Sequence, residues 1–339
     1  MGAGRLLLIA CVAAWPLAAA LAAPSPAGLE EAWDYSASHN GYSLLVLQRG
    51  RPLFERYAQG DGPGVRHKIY SGTKGFWCVA AVAAQADGIL DLDEPVAATI
   101  TKWRGRPGRG QITIRELLNF TAGIDPGFHL HSDGVPDRDA YALALPQVAR
   151  AGGSFIYGPG QIQVFCEVLR RKLAARGGER PWQYLVRRVL RPIGLGAVPH
   201  KTDAKGNPLL ASGIQLTARE WGRFGEALLA GGKPLVAPGA LGPCLCGSAR
   251  NPAFGMGFWL NRAAGDGRVV NVEDNLEPKW WQQDWSGACL CGQAPRDLFV
   301  SLGSMGQRLY VVPSLDLVAV RLSADSKFSD AEFLRLLLQ

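Results

Sequence analysis

The chain has 339 residues, of which 47% are hydrophobic and 19% charged, and carries a formal net charge of +7. This is ample for a large buried core and fits one big domain or two coupled lobes. The positive excess does not make it a nucleic-acid-binding protein. Arg170-Arg171-Lys172 and Arg187-Arg188 lie on amphipathic helices whose solvated faces need charge, and no nucleic-acid motif accompanies them.

The first 23 residues read as a secretory signal peptide: Arg5, an apolar run from Leu6 to Leu21, and small residues at Ala20-Leu21-Ala22, with cleavage near Ala22 or Ala23. Cys11 lies too early in that run to be a lipidation site. No later segment is long enough to span a bilayer. The mature protein is therefore expected to be exported, in a bacterium to the periplasm, with no stable membrane span.

A short helix is predicted over Leu29 to Ser38. Strands follow at Tyr42 to Leu47 and Pro52 to Tyr57, turned by Arg49-Gly50-Arg51. After a Gly/Pro-rich loop, Ser71 starts a helix running through Gly75 to Val82 that is apolar nearly all round, the mark of a buried central helix. The turn Gly88 to Asp93 closes this region. From about residue 100 to 240 the pattern is mainly helical, at Ile114 to Leu118, Gln163 to Ala174, Trp182 to Val189 and Arg219 to Leu229. Loops fall around 124–140 and 196–212, and Pro192 and Pro199 interrupt the stretch. Strands return at Phe254 to Leu260, Phe299 to Leu302, Gln307 to Val312 and Leu315 to Leu322, and Phe328 to Leu338 reads as a closing helix.

Strands at both ends around a helical middle predict an α+β fold: an antiparallel sheet flanked by helices, with an inserted, mainly helical lobe. On this reading residues 24–339 form one catalytic unit. Its sheet lobe is approximately 24–100 and 241–339, and its helical lobe approximately 101–240.

Without Cys11, six cysteines remain, an even number that suggests disulfides in an oxidising compartment. Cys244-x-Cys246 and Cys289-x-Cys291 form matching pairs. Residues two apart on an extended strand share a face, so disulfides are expected among these four. A bridge closing a loop of about 40 residues would contribute about 3–4 kcal/mol. The rival is a four-cysteine zinc site in a structural protein, disfavoured because such sites more often use C-x-x-C spacing. Cys78 and Cys166, on two apolar helices, are either buried thiols or a further bridge.

Ser71-Gly72-Thr73-Lys74 carries the chemistry. Residues three apart on a helix share a face, so hydroxyl and amine can meet. A serine hydroxyl needs a base to become a nucleophile, and lysine serves only if burial or a positive potential lowers its pKa. The free N–H groups and positive end of a helix N-terminus supply that potential and can stabilise an oxyanion. His129-Leu130-His131 with Asp133 are metal-ligand types, but in a Gly/Pro/Asp-rich loop they read as the rim of a cleft. Trp280, Trp281 and Trp285 either line an acyl pocket or pack a lobe interface.

Across nearly the whole mature sequence the chain resembles the serine penicillin-binding-protein and class C β-lactamase superfamily. Tyr70 to Gly75 matches the nucleophile motif, Gly88 to Val96 the turn after it, and Ile112 to Gly123 the family's Ile-Thr-Ile-Arg-x-Leu-Leu segment. Phe155-Ile156-Tyr157-Gly158-Pro159-Gly160 stands where the family has Tyr-x-Asn. Leu190 to Leu195 and Ala211 to Glu220 also follow the family. The resemblance implies that Tyr157 points into the site beside Ser71 and Lys74, where a phenol of lowered pKa would relay the proton between serine and leaving group. Leu302-Gly303-Ser304-Met305-Gly306-Gln307 replaces the usual Lys-Thr-Gly or His-x-Gly strand and looks like the 6-aminohexanoate-dimer hydrolase and esterase branches. By that resemblance the backbone N–H groups of Ser71 and Ser304 form the oxyanion hole, and Gly303 and Gly306 let substrate approach the backbone.

Pro159 in place of asparagine, and the missing cation at Gly303-Ser304, weaken a β-lactamase or D-alanyl-D-alanine peptidase reading. The expectation is an exported serine hydrolase acting on a small-molecule ester, amide or peptide without a cofactor. A non-catalytic envelope-binding protein of the same fold is the rival from another class, and it would have no use for Ser71, Lys74 and Tyr157 together.

Overall fold

A computed structural model describes residues 24–324 and 327–339, so the expected signal peptide lies outside the described residues. Helix α1 (Pro26–Ser38) begins on Ser25, whose side chain accepts the Gly28 N–H. Strands β1 (Gly41–Gln48) and β2 (Arg51–Tyr57) form the expected hairpin. Arg49 and Gly50 both take positive φ there, as a two-residue hairpin turn requires.

The short strand β3 (His67–Lys68) leads into the central helix α2 (Thr73–Ala86), buried from Thr73 to Ala84. Next come α3 (Ile114–Leu118), closed by a capping box between Thr113 and Glu116, then α4 (Arg138–Ala144), α5 (Pro159–Ala174) and α6 (Pro181–Leu185). Strand β4 (Gln215–Leu216) pairs with β3 and precedes α7 (Ala218–Leu229). The last third holds β5 (Trp259–Leu260), β6 (Arg268–Val269), α8 (Val272–Leu276), β7 (Ala288–Cys289), β8 (Phe299–Gly303), β9 (Gln307–Val312), β10 (Leu317–Ser323) and α9 (Asp330–Leu337).

The main sheet runs β2-β1-β10-β9-β8-β5, antiparallel throughout, so strands from both ends of the chain build it together. Strands β9 and β10 are buried at every residue because helices cover both faces. On one face α7 lies close: Gly222 abuts Leu45 and Leu47, and Gly225 abuts Leu309 and Val318. Although α7 falls in the mainly helical stretch, it packs on the sheet, and its Phe224 stacks on Phe76 of α2 at 3.8 Å between ring centroids. On the other face Arg321 donates to Ser36 of α1 (2.9 Å) and Tyr310 stacks on Phe333 of α9. The period-two alternation along β9 and β10 thus separates an α7 face from an α1/α9 face. No helix among the described residues is long and apolar enough to cross a membrane.

The expected cross-links among Cys244, Cys246, Cys289 and Cys291 are absent among the described residues. The reason is local geometry. Cys244 sits in a 3-10 turn, Gly242–Leu245, so it is buried while Cys246 is exposed, and the two do not share a strand face. Cys289 lies on β7, whose partner is β6. Cys78 and Cys166 are buried free thiols.

Candidate active site

The Ser-x-x-Lys motif straddles a junction: Tyr70–Gly72 form a 3-10 turn that runs directly into α2. Ser71 therefore stands just before the helix, while Lys74 lies in its first turn. Tyr70 adopts φ 43°, a left-handed conformation that costs a side-chain-bearing residue free energy and places strain next to the hydroxyl. Gly72 is required by packing, since a Cβ there would fall 2.5 Å from Trp221 of α7. Two hydrogen bonds to Ile214 clamp the turn. The Ile69 N–H donates to its carbonyl (3.2 Å), and its own N–H donates to Thr73 Oγ1 (3.1 Å).

Lys74 is 2% exposed. Its Nζ is 2.8 Å from Ser71 Oγ, donates to the Ala211 carbonyl at 3.0 Å, and sits 4.7 Å from the centroid of the Tyr157 ring. Burial lowers its pKa to about 7. Desolvation, more than the helix end, sets this value. A neutral amine is thus well populated at neutral pH and can accept a proton from Ser71.

Tyr157 packs among Phe120, Phe254 and Trp259, with ring centroids 5.1, 5.9 and 5.8 Å away. Its hydroxyl hydrogen-bonds with Ser71, so serine, lysine and tyrosine converge. Burial nevertheless raises the phenol pKa, with the Glu273 charge adding to the rise. This corrects the expectation of a lowered phenol pKa: the aromatic surroundings keep Tyr157 protonated. Pro159, in the place of the family asparagine, is buried as the first residue of α5, a position suited to proline.

Strand β5 pairs only with Phe299 and Val300 of β8, which leaves Ser301–Gly303 alongside the serine turn. Ser301 Oγ donates to the Gly72 carbonyl (3.0 Å). A Cβ on Gly303 would fall 2.0 Å from Ile69 O, so the glycine admits the serine turn itself. Ser304, Met305 and Gly306 then form the β8–β9 turn, with Met305 and Gly306 at positive φ.

At the rim, His131 Nδ1 lies 3.0 Å from Ser212 Oγ, and Lys201 donates to the His131 carbonyl (2.8 Å) while pairing with Asp133 (2.6 Å). Burial, then the charges of Lys74, Lys201 and Arg138, lowers the His131 pKa to about 4, so its ring is neutral. His129 packs on Tyr141 instead. No group of His, Cys, Asp and Glu suited to a metal ion occurs among the described residues. Trp285 is buried 4.8 Å from the Trp259 ring, behind Tyr157, whereas Trp281 is 61% exposed.

Sequence reasoning missed the Ala211 carbonyl, because a backbone acceptor leaves no side-chain signal. The Ser212 contact with His131 and the charge of Glu273 near Tyr157 join segments far apart in the chain, which no spacing reports.

The β-lactamase family model matches residues 27–338. No curated protein matches the chain. Solved structures with the same fold include a protein described as a 6-aminohexanoate-dimer hydrolase from Bacillus anthracis, at 17% identity and TM-score 0.63, covering 88% of this chain and 77% of that one. EstCE1, a hydrolase with promiscuous acyltransferase activity, aligns at 17% identity and TM-score 0.64 over 92% of this chain and 96% of its own. A class C β-lactamase from Rhodobacter sphaeroides aligns at 17% identity and TM-score 0.63, over 90% and 96% respectively.

Proposed function

The chain belongs to the β-lactamase family, whose members are serine hydrolases, and from that premise we propose that it is an exported serine hydrolase cleaving ester or amide bonds through an acyl-serine intermediate. The observation that carries this reading is the 2.8 Å contact between Ser71 Oγ and a buried Lys74 whose pKa is about 7.

Ser71 Oγ attacks the substrate carbonyl as its proton passes to the neutral Lys74 amine. The backbone N–H groups of Ser71 and Ser304 receive the oxyanion; such a donor is typically worth about 3–4 kcal/mol of barrier. Gly306 lies in the turn beside the Ser304 amide, where the acyl group meets backbone, whereas the space beside Gly303 is taken by the Ile69 carbonyl and not by substrate. As the tetrahedral intermediate collapses, the bond to the leaving group breaks. Tyr157 gives its proton to that group and is reprotonated from Lys74. Water then attacks the acyl-serine, losing its proton to Lys74, and Lys74 returns that proton to Ser71 Oγ as the acyl C–O bond breaks and the acid is released. The missing cation at Gly303-Ser304 and the buried Pro159 favour esters and linear amides over β-lactams and D-alanyl peptides.

The test treats the mature protein with a fluorophosphonate, short p-nitrophenyl esters, a linear amide and a chromogenic cephalosporin, and compares intact mass with Ser71→Ala. The expected result is one adduct on the wild type, none on the variant, and ester or amide turnover exceeding cephalosporin turnover. No adduct and no turnover would sink the hydrolase reading, while faster cephalosporin turnover would make the protein a β-lactamase. Export is checked by the N-terminus of the secreted chain, expected near Ala22 or Ala23.

A further inference from the structure

A fully buried arginine lies beneath the β8–β9 turn. Arg308 on β9 uses all five of its N–H donors: Nε to Asp330 at 2.7 Å, Nη2 to Asp330 at 3.1 Å and to Glu273 at 2.8 Å, and Nη1 to the carbonyls of Gly303 at 2.8 Å and Gln307 at 3.1 Å. Tyr310 also donates to Asp330, which opens α9. Glu273, on α8, bridges this cluster to the turn by accepting the Met305 N–H at 3.1 Å. The peptide groups on either side of Ser304 are therefore both held by side chains.

The direction of those bonds orients the turn. Arg308 belongs to the α1/α9 face of the sheet, whereas the missing side chain of Gly303 faces Ile69 on the side that carries Ser71. In a planar trans peptide the C=O and N–H point in opposite directions. With the Gly303 carbonyl drawn to Arg308, the N–H of the same peptide, that of Ser304, turns toward the Ser71 face. Glycine at 303 makes rotation of this peptide sterically easy, so the orientation depends on the groups that hold it.

We propose that Glu273 and Arg308 are positioning residues for the acyl-transfer reaction, fixing the Ser304 peptide so that its N–H faces the oxyanion. This rests on the acyl-serine reading above. The two residues touch neither substrate nor nucleophile. They act through Gly303 and Met305; the Glu273 charge that Tyr157 also feels is removed equally in Glu273→Ala and Glu273→Gln, so the difference between those variants reports the Met305 contact.

The test uses Glu273→Ala, Glu273→Gln and Arg308→Lys with a p-nitrophenyl ester, an alkyl boronic acid as tetrahedral mimic, and thermal melting. Loss of an oxyanion donor typically lowers kcat by about 10²–10³-fold, so a loosened donor in Glu273→Ala is expected to lower it by about 10–100-fold. Boronate affinity should fall by a similar factor, with KM and melting temperature little changed. Glu273→Gln retains an acceptor for the Met305 N–H and should recover most of the loss, while Arg308→Lys should lose at least as much as Glu273→Ala. Unchanged kcat in Glu273→Ala, or a fall in kcat with unchanged boronate affinity, overturns the positioning role; if Arg308→Lys does not fold, Glu273→Ala decides alone. A wild type that neither turns over the ester nor binds the boronate overturns the acyl-serine reading and this role with it, whereas an active wild type with an indifferent Glu273→Ala removes only the positioning role.

Discussion

Replacing Lys74 with methionine keeps the bulk of the side chain and removes its amine, and the stability gap between the two proteins is expected to depend on pH. Burial lowers the folded-state pKa of Lys74 to about 7. In the unfolded chain a lysine titrates near 10.4, at about its reference value. Between these two values the unfolded state binds more protons, so wild-type stability rises with pH across that window. Below the folded pKa both states are protonated and the native protein carries the full penalty of a buried ammonium. As pH rises through that pKa, the penalty is relieved.

From about pH 6 to about pH 9 the folded state releases its proton over roughly two effective pH units, worth about 1.4 kcal/mol each, or about 3 kcal/mol in all. Lys74→Met lacks this group. Its stability margin over the wild type should be largest near pH 6 and shrink by about 3 kcal/mol by pH 9. Urea unfolding at several pH values measures this directly, provided the m-values agree. A margin that stays constant would refute a desolvated lysine of lowered pKa, and with it the case for Lys74 as the base.

The ester kcat/KM is expected to rise with pH and level off above about 7, as the Lys74 amine becomes neutral. Tyr157→Phe should lower the plateau by about 10²–10⁴-fold without moving the midpoint, and a moved midpoint would assign the titration to the phenol. Gly303→Ala would bring a Cβ to 2.0 Å from Ile69 O. It should lower stability by about 1–3 kcal/mol and reduce turnover, and wild-type melting and rates would show that strand and serine turn do not touch in solution. Trp285→Ala removes a buried ring from behind Tyr157, with an expected loss of about 3–5 kcal/mol in denaturant unfolding. An unchanged midpoint would mean that Trp285 is not packed there.

Much of the sheet was legible because its strands are short segments rich in Leu, Val, Phe and Tyr, bounded by turn residues. Gln307–Val312 forms β9 over the expected residues, and the hairpin β1–β2 follows its turn signal. The expected strand from Phe254 shrinks to Trp259–Leu260, because Gly257 takes φ 80° and Gly255 packs against the Cys244 carbonyl. Helix α4 begins inside the stretch read as a loop around 124–140 and runs four residues past it. It starts on Asp137, and two of its buried residues are the charged Arg138 and Asp139, so apolar periodicity did not announce it. The reading from Trp182 to Val189 joined α6 to the π-helical turn Val186–Leu190 that follows it.

In the site, the meeting of Ser71 and Lys74 follows from their spacing, whereas Tyr157 was reached only by resemblance. The direction of its pKa shift was out of reach, because it depends on rings from three separate segments. The cysteine reading failed on one assumption, that C-x-C means extended chain. The grip of Arg308 and Glu273 on the Ser304 turn has no signature in spacing at all.

The strand pair β1–β10 joins Leu45 to Val320, and the Ser25 N–H donates to the Gln339 carbonyl at 2.7 Å. A sheet built in this way needs strands from both ends of the chain. Until β10 has been synthesised, β1 has only β2 beside it, and the buried faces of α1 and α2 lack their partners. Contacts of such sequence separation are slow to form and leave a growing chain open to chaperones, proteases and aggregation. A circular permutant of residues 25–339 that joins Gln339 to Ser25 and opens at the exposed Gly177-Gly178 should keep the sheet while bringing β1 and β10 close together in synthesis order.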